Sequence, residues 1–202
     1  DFCLSRGLGD VYKRQYEKVV ESVGRIRASG LHVGAIETTT RYSLDYSKEI
    51  VNAYVDMGFD SIFIRPLTPL GKAAKYWNEI GYTTEEFIEF YGRSLDELLV
   101  INKNGRFIKE DHATILLRRI RGDFMNYMEL RSPCGAGVGQ LAYYADGNIF
   151  TCDEGRMLHE MGQSTFKLGN VYKSTYRDLI NNNICKTVCS ASVLESLPTC
   201  CD

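Results

Sequence analysis

No apolar run in this sequence approaches the roughly 18 residues that a membrane-spanning helix needs, so a transmembrane reading is excluded. Neither sign of charge is in excess: 24 Lys and Arg stand against 26 Asp and Glu, and the net of −2 points to no nucleic-acid or membrane-surface partner. With 44% apolar and 25% charged residues, a disordered chain is excluded as well. Histidine is scarce, and none of His32, His112 and His159 stands at ligand spacing to another. No secretory signal opens the sequence. What is plentiful is cysteine, seven in all, and Cys134, Cys152, Cys185, Cys189, Cys200 and Cys201 crowd the last third. An odd count in a chain of 202 residues argues against a disulfide framework, which suits small secreted domains. Reduced thiols or metal ligands in a cytoplasmic protein are expected instead.

Two grammars divide the chain. From Tyr16 to Gly122, helical and strand patterns alternate. Val19, Val20, Val23 and Ile26 recur at helical spacing and stop at Gly30; Leu31–Thr40 reads as a strand buried on both faces. Ser47 is an N-cap candidate for a helix to Met57, and Ser61–Leu67 reads as a second buried strand. Helix, strand, helix, strand with short links is the pattern of βαβ units on a parallel sheet. Thr83 to Glu86 carries a capping box for a helix running to Leu99, and Glu110–Ile120 is another helix, whose Arg118, Arg119 and Arg121 form a solvated face. From Ser132 the pattern turns to short strands, glycines and cysteines. Residues 140–152, QLAYYADGNIFTC, place strands on either side of Asp146-Gly147 and predict a hairpin with a two-residue turn. Ser174 is read as the cap of a helix that follows. Asp123–Arg131 is the expected linker.

The hairpin folds the segment of Cys134 toward Cys152, so that two thiolates can share a soft metal centre, zinc or an iron-sulfur cluster. The CxxC spacing of zinc knuckles is missing, which disfavours zinc. The spacing itself is Cys134, twelve residues, Gly147, four residues, Cys152, followed by LGNV at Leu168–Val171.

These motifs resemble the first half of a SPASM domain, the module that follows the barrel of radical S-adenosylmethionine enzymes and holds auxiliary 4Fe-4S clusters. More narrowly, ETTTRYSL, IFIRPLTPLG, SPCGAG and CDEGRML resemble the B-type radical maturase of the His-Xaa-Ser system. The resemblance runs from Tyr16 to Asp202. It implies an α/β fold, the C-terminal strands and helices of a partial TIM-type barrel over residues 16–122, then a truncated, cysteine-rich SPASM-like domain with a β-hairpin over 132–202. Cys134 and Cys152 would ligate the first auxiliary cluster, and Cys200 would open the second group of ligands. Cys185 and Cys189 lie between the groups, either as further ligands or as buried thiols, and Cys201 has no counterpart. The implied activity is modification of a ribosomally made peptide or protein of the His-Xaa-Ser type, through hydrogen abstraction by a 5′-deoxyadenosyl radical. A companion maturase is a further implied partner, whereas nucleic acid and membrane are not. A non-catalytic zinc or interaction module with structural cysteines is the alternative.

Such chemistry needs CxxxCxxC, which this sequence lacks; Cys185-x3-Cys189 continues with Ser192 in the third place. The motif is therefore expected upstream, and the chain is read as a piece of a longer enzyme, inactive alone. Its first methionine is Met57 and it stops at Asp202 within a cysteine group. SRGLGDVYKRQ, Ser5 to Gln15, resembles adapter-derived sequence carried into an open reading frame, and residues 1–15 are set aside as a non-native leader, Cys3 with them. Barrel chemistry collects at the C-terminal ends of the strands. There Thr38, Thr39, Thr40 and Arg41 after the first strand and Arg65 after the second could meet S-adenosylmethionine or the peptide; Thr39 and Arg65 are the residues expected to bind S-adenosylmethionine, Arg65 through a bidentate pair with its carboxylate, with a strand-end carboxylate as the structural alternative for Arg65. Glu37, an acid in an apolar strand, is expected to be paired. Asp153 and Glu154, next to Cys152, are read as orienting a cluster, contacting substrate or simply solvated.

Overall fold

The computed structural model describes residues 8–123 and 132–191, with side chains from residue 15 onward. In chain order its first elements are α1 Leu8–Ala28, β1 Ala35–Thr38, a 3-10 helix Arg41–Tyr46, α2 Ser47–Asp56 and β2 Ser61–Arg65. Two short turns, α3 Lys72–Lys75 and α4 Trp77–Ile80, precede α5 Thr84–Lys103, β3 Lys109–Glu110 and α6 Asp111–Ile120. Then come β4 Ala142–Tyr143, β5 Asn148–Phe150, α7 Asp153–Glu160, β6 Lys167–Asn170, α8 Tyr176–Asn181 and α9 Asn183–Ser190. The described residues fall into two compact units, one within Asp1–Leu67 and Ile80–Thr114, the other within Thr68–Glu79 and Ile115–Asp202. The backbone is helical from Leu8, so the stretch set aside as a leader carries the first turns of α1.

The first unit is a parallel sheet in the order β1-β2-β3. β1 and β2 run side by side, from Ala35 opposite Ile62 to Thr38 opposite Arg65, which is the adjacency that successive barrel strands require. Val51 and Val55 of α2, Ile62 and Ile64 of β2, and Phe90 and Leu98 of α5 make its core. Four of them, Val51, Ile62, Ile64 and Phe90, are wholly buried, and burying one such side chain contributes about 1.5–3 kcal/mol. β1, however, is not buried on both faces as expected. Its residues alternate buried and exposed, with Ile36 65% exposed, because α2 and α5 pack on one side of the strand. Ser47 is likewise not a cap. It is the first residue of α2 and buried, since the 3-10 turn delivers the chain straight into the helix. Thr83 does cap α5 as expected: its hydroxyl accepts from Glu86 N–H (3.2 Å) and the Glu86 carboxylate accepts from Thr83 N–H (2.7 Å). Glu110 lies in β3, one residue before its helix begins.

The second unit carries an antiparallel sheet in the order β4-β5-β6, packed by Ile149, Leu168, Leu179 and Cys185. The β4–β5 connection runs from Tyr144 to Gly147, and the bond between Tyr144 and Asn148 closes it to a three-residue loop, Ala145 to Gly147. Tyr144 N–H donates to Asn148 O and Gly147 N–H to Tyr144 O, both at 2.9 Å. A two-residue type I′ turn needs positive φ at both positions, and among the described residues only glycines have it. Here Gly147 alone takes it, at φ 83°, and Asp146 instead accepts from Asn148 N–H (2.8 Å) through its side chain. Thr175, not Ser174, caps α8: its hydroxyl accepts from Asp178 N–H at 3.3 Å, while the Ser174 hydroxyl accepts from Asn170 N–H at 3.2 Å. Among the described residues no helix is long and apolar enough to cross a membrane.

Candidate metal centre

β5 ends at Phe150 and runs through Thr151 into Cys152, which sits at the N-cap of α7 in extended backbone. There the Cys152 sulfur accepts from Gly155 N–H at 3.4 Å and faces the Thr151 hydroxyl at 3.8 Å. The segment of Cys134 is tied to the same place, because Gly137 N–H donates to Thr151 O at 2.8 Å. Cys134 itself is exposed and Cys152 half-buried, and the four described cysteines are free thiols. Burial pushes the Cys152 thiol above its ordinary pKa, and the Gly155 N–H draws it partly back.

Thiols are the donors a soft metal takes, and a helix N-terminus with an N–H on the sulfur favours the thiolate a metal needs. Among the described residues, however, no three Cys, His, Asp or Glu side chains stand close enough to hold one ion. Cys134 and Cys152 lie on segments joined by the Gly137 N–H to Thr151 O bond, and among the described residues no third such donor completes a ligand set with them. Asp153 and Glu154 occupy the first turn of α7, where their charge favours the helix dipole. Cys185 and Cys189 lie on α9, one turn apart. Cys3, Cys200, Cys201 and positions 124–131 of the expected linker lie outside the described residues.

At the C-terminal ends of β1 and β2 the two expected cofactor residues part company. Arg65 is exposed and in register with Thr38, so these two share one face of the sheet. Its guanidinium lies over the Phe63 ring, 5.4 Å from the centroid, and among the described residues no carboxylate pairs with it. Thr39 is wholly buried; its hydroxyl donates to Glu37 Oε2 at 2.8 Å and its N–H donates to Arg65 O at 3.0 Å. It ties the strand ends together, and its side chain is engaged with Glu37 instead of standing beside Arg65. Thr38 takes that place, because successive side chains of a strand point to opposite faces.

Glu37 points toward the helices. Its partner is a hydroxyl, and among the described residues no cation pairs with it. Burial accordingly raises its carboxyl pKa from 4.5 to about 6, with the Thr39 hydrogen bond opposing. The fold thus holds this proton more tightly than the unfolded chain does. Stability from Glu37 is full below pH 4.5, falls as pH rises through about 6, and is absent above. Glu37→Gln, which keeps an acceptor for Thr39, should therefore be more stable than wild type at pH 8, on the order of 1 kcal/mol. Urea midpoints should show the gap closing below pH 4.5; an equal offset at both pH values would mean Glu37 carries no titration cost. At the opposite, N-terminal ends of the strands, Arg27, Gly30, Leu31, His32, Val33 and Asp60 line an open pocket of about 280 Å³, with His32 Nε2 3.2 Å from Asp60 Oδ1.

The chain is thus an α/β protein in which a parallel βαβ unit precedes a thiol-bearing antiparallel hairpin unit. That fold is also found in the solved structure of native anSMEcpe with bound AdoMet, with TM-score 0.66 and 16% identity over 86% of this chain and 45% of that one. Histidine-tagged anSMEcpe with bound AdoMet gives TM-score 0.64 at the same identity, over 86% of this chain and 43% of that one. Native anSMEcpe with bound AdoMet and Kp18Cys peptide gives 0.66, again with 16% identity, over 86% and 45%. The chain spans less than half the length of these solved chains. No family model and no curated protein matches the sequence.

Proposed function

We propose that this chain is part of a radical S-adenosylmethionine maturase that modifies a ribosomally made peptide of the His-Xaa-Ser type. The observation that carries the reading is the extent of the fold likeness, 86% of the chain, with the Cys134–Cys152 hairpin present in the unit that follows the parallel sheet. Two further points support it: the similar structures hold AdoMet, and some hold a peptide as well.

In this reading Cys134 and Cys152 hold one edge of an auxiliary 4Fe-4S cluster, and Cys200 belongs to a second ligand group. Arg65, unpaired by any carboxylate among the described residues and exposed at a strand end, meets the carboxylate of S-adenosylmethionine. Thr39 keeps that strand end in place through its N–H to Arg65 O. A cluster held by CxxxCxxC upstream of these residues supplies the chemistry, reductive cleavage of S-adenosylmethionine.

The 202-residue chain alone is therefore expected to form no 5′-deoxyadenosine under anaerobic reduction, while the longer parent forms it and changes the mass of a His-Xaa-Ser repeat peptide. A parent that binds iron but forms no 5′-deoxyadenosine overturns the enzyme class. One that modifies only unrelated peptides overturns the substrate. A colourless protein with tetrahedral zinc would identify the alternative, a non-catalytic cysteine module.

A further inference from the structure

α9 carries two cysteines that the reading above does not use. Asn182 caps this helix through its side chain, which accepts from Ile184 N–H at 2.9 Å, so the helix starts at a defined residue. Positions 185 and 189 then fall four apart and on one face. The two sulfurs stand 3.9 Å apart. Both look onto one loop: Cys185 Sγ is 3.5 Å from Gly137 O and Cys189 Sγ is 3.8 Å from Ala136 O. The loop can lie this close because residue 137 is glycine. A Cβ built there would be 2.8 Å from Cys185 Sγ, and the backbone has φ 81°. Cys185 is 2% exposed and Cys189 is half-buried, so the pair has one sheltered and one open side.

Two thiolates on a tetrahedral d10 ion, each bonded at about 2.3 Å, stand about 3.8 Å apart. The observed separation matches that figure without any movement of α9. A disulfide, by contrast, needs the sulfurs at about 2.05 Å and would have to draw them together by nearly half their distance. The carbonyl oxygens of Ala136 and Gly137 lie beside the thiols, and water can reach the site past Cys189. Cys185 belongs to the apolar core of its unit, beside Ile149, Leu168 and Leu179, and differs from an ordinary core cysteine in having a second sulfur at ligand spacing.

We propose that Cys185 and Cys189 form a two-thiolate site for a soft divalent ion of the zinc class, separate from the Cys134–Cys152 pair. The site is independent of the maturase reading, since both thiols lie on α9; they fill two positions of a tetrahedral ion and leave the others to water.

The probe is Cd²⁺ added to the chelator-treated 202-residue chain under anaerobic reductant, with thiolate-to-metal charge transfer read in the ultraviolet. One equivalent is expected to bind. Cys189→Ser, at the half-buried position, should weaken binding by at least the roughly 10–100-fold that altering an outer partner of a metal site costs. Far-UV circular dichroism of that variant should match wild type, and Cys185→Ala provides the second test. The double variant Cys134→Ser/Cys152→Ser should keep the band. No binding by the wild type overturns the proposal. So does a band lost in the double variant, whether it survives in Cys189→Ser, which places the ion at the hairpin, or disappears there too, which indicates one four-thiol centre. The iron content and 5′-deoxyadenosine yield of the parent judge the maturase reading separately.

Discussion

On the proposed maturase reading, Cys152→Ser is expected to remove the iron of one auxiliary cluster from the anaerobically reconstituted parent, with a matching fall in visible absorbance, while leaving the fold of the hairpin unit in place. The expectation follows from where the sulfur sits. Cys152 occupies the N-cap of α7, and its side chain accepts from Gly155 N–H. Serine is among the favoured residues at such a position, so the helix start survives the change and its oxygen takes over that hydrogen bond. What serine lacks is the soft thiolate that an iron-sulfur cluster requires. Cys134→Ser should lose the same iron, because Gly137 N–H on Thr151 O binds its segment to the Cys152 strand. The metal-free variant and metal-free wild type should then unfold at nearly the same temperature. Unchanged iron in both variants would remove the hairpin pair from the ligand set.

Glu110→Ala should be the most damaging single change in the first unit, on the order of 3–9 kcal/mol, from three donors each costing roughly 1–3 kcal/mol when left unpaired. β3 has only two residues, opposite Ser61 and Ile62, so its ladder stops before Ile64. The Glu110 carboxylate continues it, accepting from Ile64 N–H at 3.0 Å. The same carboxylate accepts from the Tyr91 hydroxyl of α5 at 2.5 Å and from Ala113 N–H in the first turn of α6. Burial, and then the bond to Glu110, hold the Tyr91 hydroxyl far above its ordinary pKa, so it stays a neutral donor. One side chain thus joins β2, α5 and α6, and at 5% exposure water cannot replace it. Against a typical total of about 5–15 kcal/mol, such a loss leaves the unit marginal at best. Glu110→Gln keeps one acceptor oxygen and should cost less than half as much. Urea unfolding followed by far-UV circular dichroism measures both; a cost below about 1 kcal/mol for the alanine variant would show that the three donors find other partners.

Much of the organisation was readable from residue order, because local rules decide it. Thr83 and Glu86 satisfy each other's backbone groups whatever lies elsewhere, so the start of α5 is visible in four letters. Val51, Val55, Ile62 and Ile64 carry a helical and a strand period, and those periods imply the βαβ pairing that the register of β1 with β2 bears out. The hairpin around Gly147 was legible for the same reason, although its loop length was not. Asp146-Gly147 is compatible with two turn types, and the choice rests on the cross-strand hydrogen bond from Tyr144 to Asn148. Which face of β1 is covered was not legible either. A run of apolar and β-branched residues suits a strand with helices on both sides, and only the packing of α2 and α5 on one side sends Glu37 inward and leaves Ile36 open. Thr39 and Thr38 are likewise indistinguishable as letters; the pleat engages one with Glu37 and sets the other beside Arg65.

The cysteines divide along the same line. Their number, the spacing of Cys134, Gly147 and Cys152, and the lack of CxxxCxxC are properties of the sequence, and they depend on no contact. That Cys185 and Cys189 face each other over the Ala136–Gly137 carbonyls depends on the tertiary structure. Helical spacing aligns the two thiols on one face, but only the packing of α9 against that loop decides what the face meets.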